Sequence, residues 1–238
     1  MQKTTNQKLL PYDAAVFQGL QDFFVARDDL PKHRDNITSL GDVICNFELE
    51  KHLGLNLLHK HFEIAADEIV VREFADDAAL IRPYKIGEPG PLVPYLWILA
   101  EGCTGKGFYP VEFVAFSDEV LRREALAVIE TINGTEGFLD SLARELEELG
   151  TVELFGISGL FSRSPFVLDE DMSLLETSDE SNRVLTLRPT RKTVIKTEDT
   201  TQTLWTFIPP PRGAARPESA CMSHCVSHCH NHGINPHH

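Results

Sequence analysis

Apolar positions recur along the chain with two different periods. In PYDAAVFQGLQDFFVARDD, Phe17, Leu20 and Phe24 return every three to four residues behind an acidic start, which predicts an amphipathic helix over residues 12–27 with Asp13 near its N-cap. FELEKHLGLNLLHKHFEI carries Phe47, Leu49, Leu53, Leu57 and Leu58 at mixed three- and four-residue spacing and reads as a second helix that tolerates Gly54. His52 and His59 fall on or beside that apolar stripe. The period then shortens. EIVVREF, ALIRPY, PYLWILAEG and VEFVAF are short runs of Val, Ile, Phe, Tyr and Trp punctuated by Gly and Pro, the pattern of strands in a meander.

Two further helices follow, SDEVLRREALAVIETI behind a Ser117 cap and FLDSLARELEEL after Gly137. TVELFGI, NRVLTLRP and TLWTFI are strands again, separated by polar loops, among them the acidic LDEDMSLLETSDESN. Strands, then helices, then strands predict an α+β domain: an antiparallel or mixed sheet with helices packed on one side. The segment IPPPRGAARPESA has little to bury and reads as an extended linker. The expected organisation is a globular domain over residues 1–208, a linker over 209–220 and a Cys/His-rich tail over 221–238.

Composition narrows the partners. With 36 acidic against 22 basic residues and a formal charge of -14, most of the surface repels a nucleic-acid backbone or an anionic membrane. The start of the chain lacks the apolar run of a secretory signal, and no stretch approaches the length of apolar residues that spans a bilayer, so the expectation is an intracellular, cytoplasmic protein. Cys45 and Cys103 stand singly among the five cysteines, and the other three crowd together near the C-terminus, which argues against a disulfide framework.

That crowding carries the strongest chemical signal. CMSHCVSHCHNH, residues 221–232, repeats Cys and His in tetrapeptides, and Cys221, His224, Cys225, His228, Cys229 and His232 are the expected metal ligands. Thiolate and imidazole are the donors that zinc and copper prefer, and no Asp or Glu lies between Cys221 and His238 to compete. On a helix, Cys221 and Cys229 would stand roughly 12 Å apart, too far to share one ion, so a helical tail would form partial sites closed by an outside ligand. An irregular tail would wrap one ion with four donors. His59 and His61 in LLHKHF are the candidate donor pair elsewhere in the chain.

Other constellations are weaker. GCTGKG lacks the spacing of a phosphate loop and reads as a glycine-rich hairpin turn; GISGL, around Ser158, has the wrong offsets for a nucleophile elbow. The acids Asp169, Glu170, Asp171, Glu176, Asp179 and Glu180 lack the pattern of a calcium loop and read as a solvated segment. The LLHKHFEI segment together with the Cys/His-rich C-terminus resembles uncharacterised fungal proteins, a resemblance that implies no activity. The leading reading is therefore an intracellular protein that binds zinc or copper through its C-terminus. Two rival readings are an enzyme of unknown substrate with His59, His61 and Glu63 at its site, and a scaffold whose tail folds with a protein partner around a shared ion.

Overall fold

The computed structural model describes residues 7–75, 77–161, 168–210 and 216–226. Helices α1 (Ala14–Gln18), α2 (Phe23–Asp29) and α3 (Asn36–Asn46) lead into strands β1 (Leu53–Leu57), β2 (Glu68–Phe74), β3 (Ala79–Lys85), β4 (Leu92–Gly102) and β5 (Gly105–Ala115). After α4 (Glu119–Gly134) and α5 (Phe138–Glu148) come β6 (Phe155–Gly159), β7 (Met172–Asp179), β8 (Val184–Arg191), β9 (Thr200–Ile208) and β10 (Glu218–Val226). The strands close into a barrel in the order β1-β6-β4-β5-β2-β3-β8-β7-β10-β9, and β9 pairs back onto β1. The expected α+β arrangement, a sheet with helices on one side, is thus incorrect: the ten strands form a closed mixed barrel, with parallel pairs β2–β5 and β7–β10. Closure leaves none of the described strands with an unpaired edge.

Local chemistry explains where the elements depart from the periodicity. The helix expected over 12–27 is two short ones. Asp13 does cap α1, its carboxylate accepting from Ala15 N–H at 3.0 Å, but the chain turns at Gly19 before α2 begins. The helix expected across Gly54 is strand β1, because Leu53, Leu55 and Leu57 alternate with Gly54 and Asn56 and bury one face. The acidic loop before Asn182 contains β7, whose even positions, Leu174 and Glu176, point into the barrel. The cap of α4 is Asp118 in place of Ser117, with Val120 and Leu121 N–H on its carboxylate. GCTGKG is the turn of the β4–β5 hairpin, with Gly105 at φ 102°, a conformation that glycine adopts without strain.

Apolar residues form two main compartments. Leu53, Leu55, Leu57, Trp97, Phe155, Ile157 and Trp205 line the outer wall and pack under α3, α4 and α5. Val70, Ile81, Ile98, Val111, Leu174, Leu185 and Leu187 belong to a second cluster that fills much of the lumen.

The ladder registers show that the barrel is built twice. Exchanging β1–β5 with β6–β10 maps every strand pair onto another pair or onto itself. The exchange centres on Leu55 opposite Ile157 and on Leu80 opposite Thr186. It carries β2–β3 onto β7–β8, the parallel pair β2–β5 onto β7–β10, β4–β5 onto β9–β10, and β4–β6 onto β9–β1. Even the bulges coincide, one around Leu96 and one around Ser223, so that Tyr95 and Thr203 are the matching skipped residues. The pairing places Gly54 with Gly156, Trp97 with Trp205, and Arg82-Pro83 with Arg188-Pro189, identities that the sequence alone scatters too thinly to announce a repeat. Internal pseudo-twofold symmetry therefore organises the lumen, and two matching positions inside it carry very different chemistry.

Candidate metal centre

His59 and His61 follow β1, and the intervening Lys60 explains why both point inward. Lys60 lies on the other side of the segment, largely covered, with its Nζ 2.6 Å from Glu63 and 3.1 Å from the Gln18 carbonyl. Its backbone is bridged to the residues before α2: Lys60 N–H donates to the Gln21 carbonyl and Phe23 N–H to that of Lys60. Alternation along this extended segment then turns the two imidazoles to the opposite side. Phe23 packs against both rings, 5.1 Å from His59 and 5.4 Å from His61 between centroids.

Two strands of the second half complete the group. Glu176 on β7 and Cys225 on β10 are direct partners in the parallel ladder. The ligand atoms of His59, His61, Glu176 and Cys225 all lie within 4.8 Å of one another. The two Nε2 atoms are 3.0 Å apart, Cys225 Sγ is 3.6 Å from His61 Nε2, and Glu176 Oε2 is 3.9 Å from His59 Nε2. Four donors arranged tetrahedrally at the usual 2.0–2.3 Å of a bound zinc stand roughly 3.3–3.8 Å apart. The observed separations bracket that range, so the group can hold one ion with small side-chain adjustments.

Hydrogen bonds prepare the donors. His59 Nδ1 lies 2.9 Å from the Leu57 carbonyl; since a carbonyl only accepts, Nδ1 carries the proton and Nε2 presents its lone pair to the centre. Glu176 Oε1 accepts from Thr203 Oγ1 at 2.5 Å and from Ser223 Oγ, which leaves Oε2 for the ion. Burial lowers the pKa of both histidines, partly opposed at His59 by the Glu176 carboxylate and reinforced at His61 by its neighbour His59. Neutral imidazole is the form that binds metal.

Of the expected tail ligands, Cys221, His224 and Cys225 are among the described residues. Cys225 joins the barrel histidines. Cys221 packs against the outer-wall cluster, with its Sγ 3.7 Å from His224 Nε2, and His224 Nδ1 is 3.1 Å from Ser173 Oγ. Burial pushes the Cys221 thiol up to about 12 and lowers His224. Residues 218–226 are extended, so the helical Cys/His ribbon does not describe them; His228, Cys229 and His232 lie outside the described residues. Glu63, the acid of the alternative enzyme site, points to solvent and pairs with Lys60. Its place is taken by Glu176, which sequence reasoning assigned to a solvated acidic segment. No periodicity marks it, since Leu174 and Leu175 are adjacent and the residues that follow are polar on both faces. Among the described residues, this is the one group of three or more such donors close enough to share an ion, and no helix is long and apolar enough to cross a membrane.

No family model, curated protein or solved structure matches this chain.

Proposed function

We propose that the protein binds a single transition-metal ion inside the barrel, zinc by preference, through His59, His61, Glu176 and Cys225. The observation that carries this reading is the convergence of four donors from three separated parts of the chain, two of them already oriented by hydrogen bonds on their outer atoms. Two imidazoles, a carboxylate and a thiolate suit the tetrahedral preference of Zn²⁺; Cu⁺ would favour the thiolate and imidazoles and gain little from Glu176. With four protein donors the site is closed, which favours a structural or metal-holding role over hydrolysis at an open coordination position. Two cavities, of about 600 and 270 Å³, open elsewhere in the molecule, and neither is lined by these four residues. The ion would tie the segment after β1 to β7 and β10, joining the two halves of the barrel.

Native mass spectrometry of untagged protein tests the reading. One equivalent of zinc should survive replacement of His228, Cys229 and His232 by Ser, and should be lost on Cys225→Ser or His61→Ala. If the ion follows the tail residues instead, the barrel is not the site.

A further inference from the structure

The internal symmetry gives the metal group a counterpart. Glu176 lies opposite Leu187 in β8, and Arg72 opposite Ile81 in β3, so the exchange of halves carries one onto the other. The same exchange takes Ser223 to Glu112, Thr203 to Tyr95, Cys225 to Val114 and His59 to Phe161. The interactions are matched as well. Ser223 and Thr203 hold Glu176, while Glu112 Oε1 accepts from Arg72 Nε at 2.6 Å and the Tyr95 ring lies 4.1 Å from the Arg72 guanidinium carbon. Where the first position offers metal donors, the second has aromatic and aliphatic side chains and a cavity of about 270 Å³, lined by Arg72, Phe74, Tyr95, Phe161, Leu168 and Leu174 among others.

Arg72 is only 8% exposed, and its bond to Glu112 uses Nε alone. The guanidinium lines the cavity, no hydrogen bond from its two Nη nitrogens is seen among the described residues, and they are not sealed off by protein, so a molecule in the cavity can accept from them. The rest of the wall is flat and apolar: Phe161 packs 5.8 Å from Tyr95 and 5.6 Å from Phe116, which in turn stacks on Phe74 at 6.1 Å. Charge selects among acceptors. Arg72 and Glu112 cancel, and Glu176 adds a negative charge nearby that a bound divalent ion and the Cys225 thiolate would bring to neutrality. A further anion would be the one unbalanced charge with the ion in place and a second negative charge without it, and either is costly in a low-dielectric interior.

We propose that this cavity is a binding site for a small, flat, uncharged molecule whose carbonyl or carboxamide oxygen accepts from the Arg72 Nη atoms while its ring lies among Phe74, Tyr95 and Phe161. The volume sits at the small end of ligand pockets and suits a single-ring compound. The site does not depend on the metal being present.

Three isosteric probes separate the alternatives: benzamide, benzoate and benzamidine, titrated into the full chain by isothermal calorimetry and by NMR, in zinc-loaded and in chelated protein. Benzamide should bind in both states, at least tenfold tighter than benzoate or benzamidine, with the largest shifts at the ring protons of Phe161 and Tyr95. Replacing the ion pair together, Arg72→Leu with Glu112→Leu, keeps the interior neutral and should weaken benzamide at least tenfold. Leu168→Trp, which fills the cavity and leaves Arg72 in place, should abolish binding in a folded protein and so answers for the double variant should that fail to fold. Tighter binding of benzoate, no binding of any probe, or benzamide binding unaffected by Leu168→Trp would overturn the proposal.

Discussion

Arg72 and Glu176 occupy the same position in the two halves of one barrel, each opposite the matching residue of its hairpin and each held by the matching residue of the neighbouring parallel strand, Glu112 or Ser223. The repeated framework thus places a buried polar residue at this point in both halves, with opposite charge. The acid faces two imidazoles and a thiol; the base faces aromatic rings. The ladder registers are shared, and the side chains at the matching positions differ.

The hydroxyls behind Glu176 should set metal affinity without touching the ion. Ser223→Ala or Thr203→Val removes a hydrogen bond that fixes the carboxylate, and losses of roughly 10–100-fold are typical when such outer partners of a metal ligand are removed. Competition with a chromophoric zinc chelator measures the change. Ser173→Ala, which loses contacts to the Met222 carbonyl and to His224, should leave zinc affinity within a factor of about two.

Gly54 and Gly156 occupy matching sites where strands cross closely. A Cβ on Gly156 would stand 2.6 Å from the Trp97 carbonyl oxygen and 2.7 Å from Leu58; on Gly54 it would stand 3.0 Å from the Trp205 carbonyl oxygen and 2.8 Å from Leu204. Backbone oxygen yields less than a leucine methyl. Gly156→Ala should therefore cost more than Gly54→Ala, within the roughly 1–3 kcal/mol typical of overpacking, as read by urea unfolding.

Ending the chain after Pro210 removes β10, which pairs with β9 over Glu218–Val226 and with β7 at Ser223, His224 and Cys225. The barrel would open, exposing unpaired edges on β7 and β9. The truncated protein should aggregate or lose its cooperative thermal transition even with chelator present. A transition within a few degrees of the intact chain would show that closure by β10 is dispensable.

Acid should weaken the protein in a definite window. Glu68 accepts from Arg183 Nη1 at 2.7 Å, from Arg183 Nη2 at 3.1 Å and from Ala65 N–H at 2.8 Å, and these bonds, the Arg183 pair first, hold its carboxyl down to about 2. Its folded value lies below the ordinary 4.5, so the stabilisation is present above that value and disappears as the pH falls from about 4.5 towards 2. Arg183→Met should flatten this part of the stability profile, measured by denaturant unfolding at successive pH values.

The sequence by itself determined most of the local elements: the short runs of β-branched and aromatic residues in EIVVREF, ALIRPY and PYLWILAEG, punctuated by Gly and Pro, mark β2, β3 and β4, and the period of residues 119–148 marks α4 and α5. It also placed soft metal donors at LLHKHF and at the C-terminus, since scarce residues clustered at short spacing are visible without any fold. Three things only the tertiary structure decided. Leu49, Leu53 and Leu57 satisfy a helical period as well as a strand's, and pairing with β6 and β9 chose the strand. Closure of the sheet follows from which strands meet, a long-range matter on which periodicity along the chain is silent. The metal group unites residues as far apart as His59 and Cys225, and it takes Glu176 from a stretch whose acidity suggests solvent. A carboxylate is recognised as buried only when the hydroxyls that satisfy it, Thr203 and Ser223, arrive from other strands, and that meeting is fixed by the barrel's register.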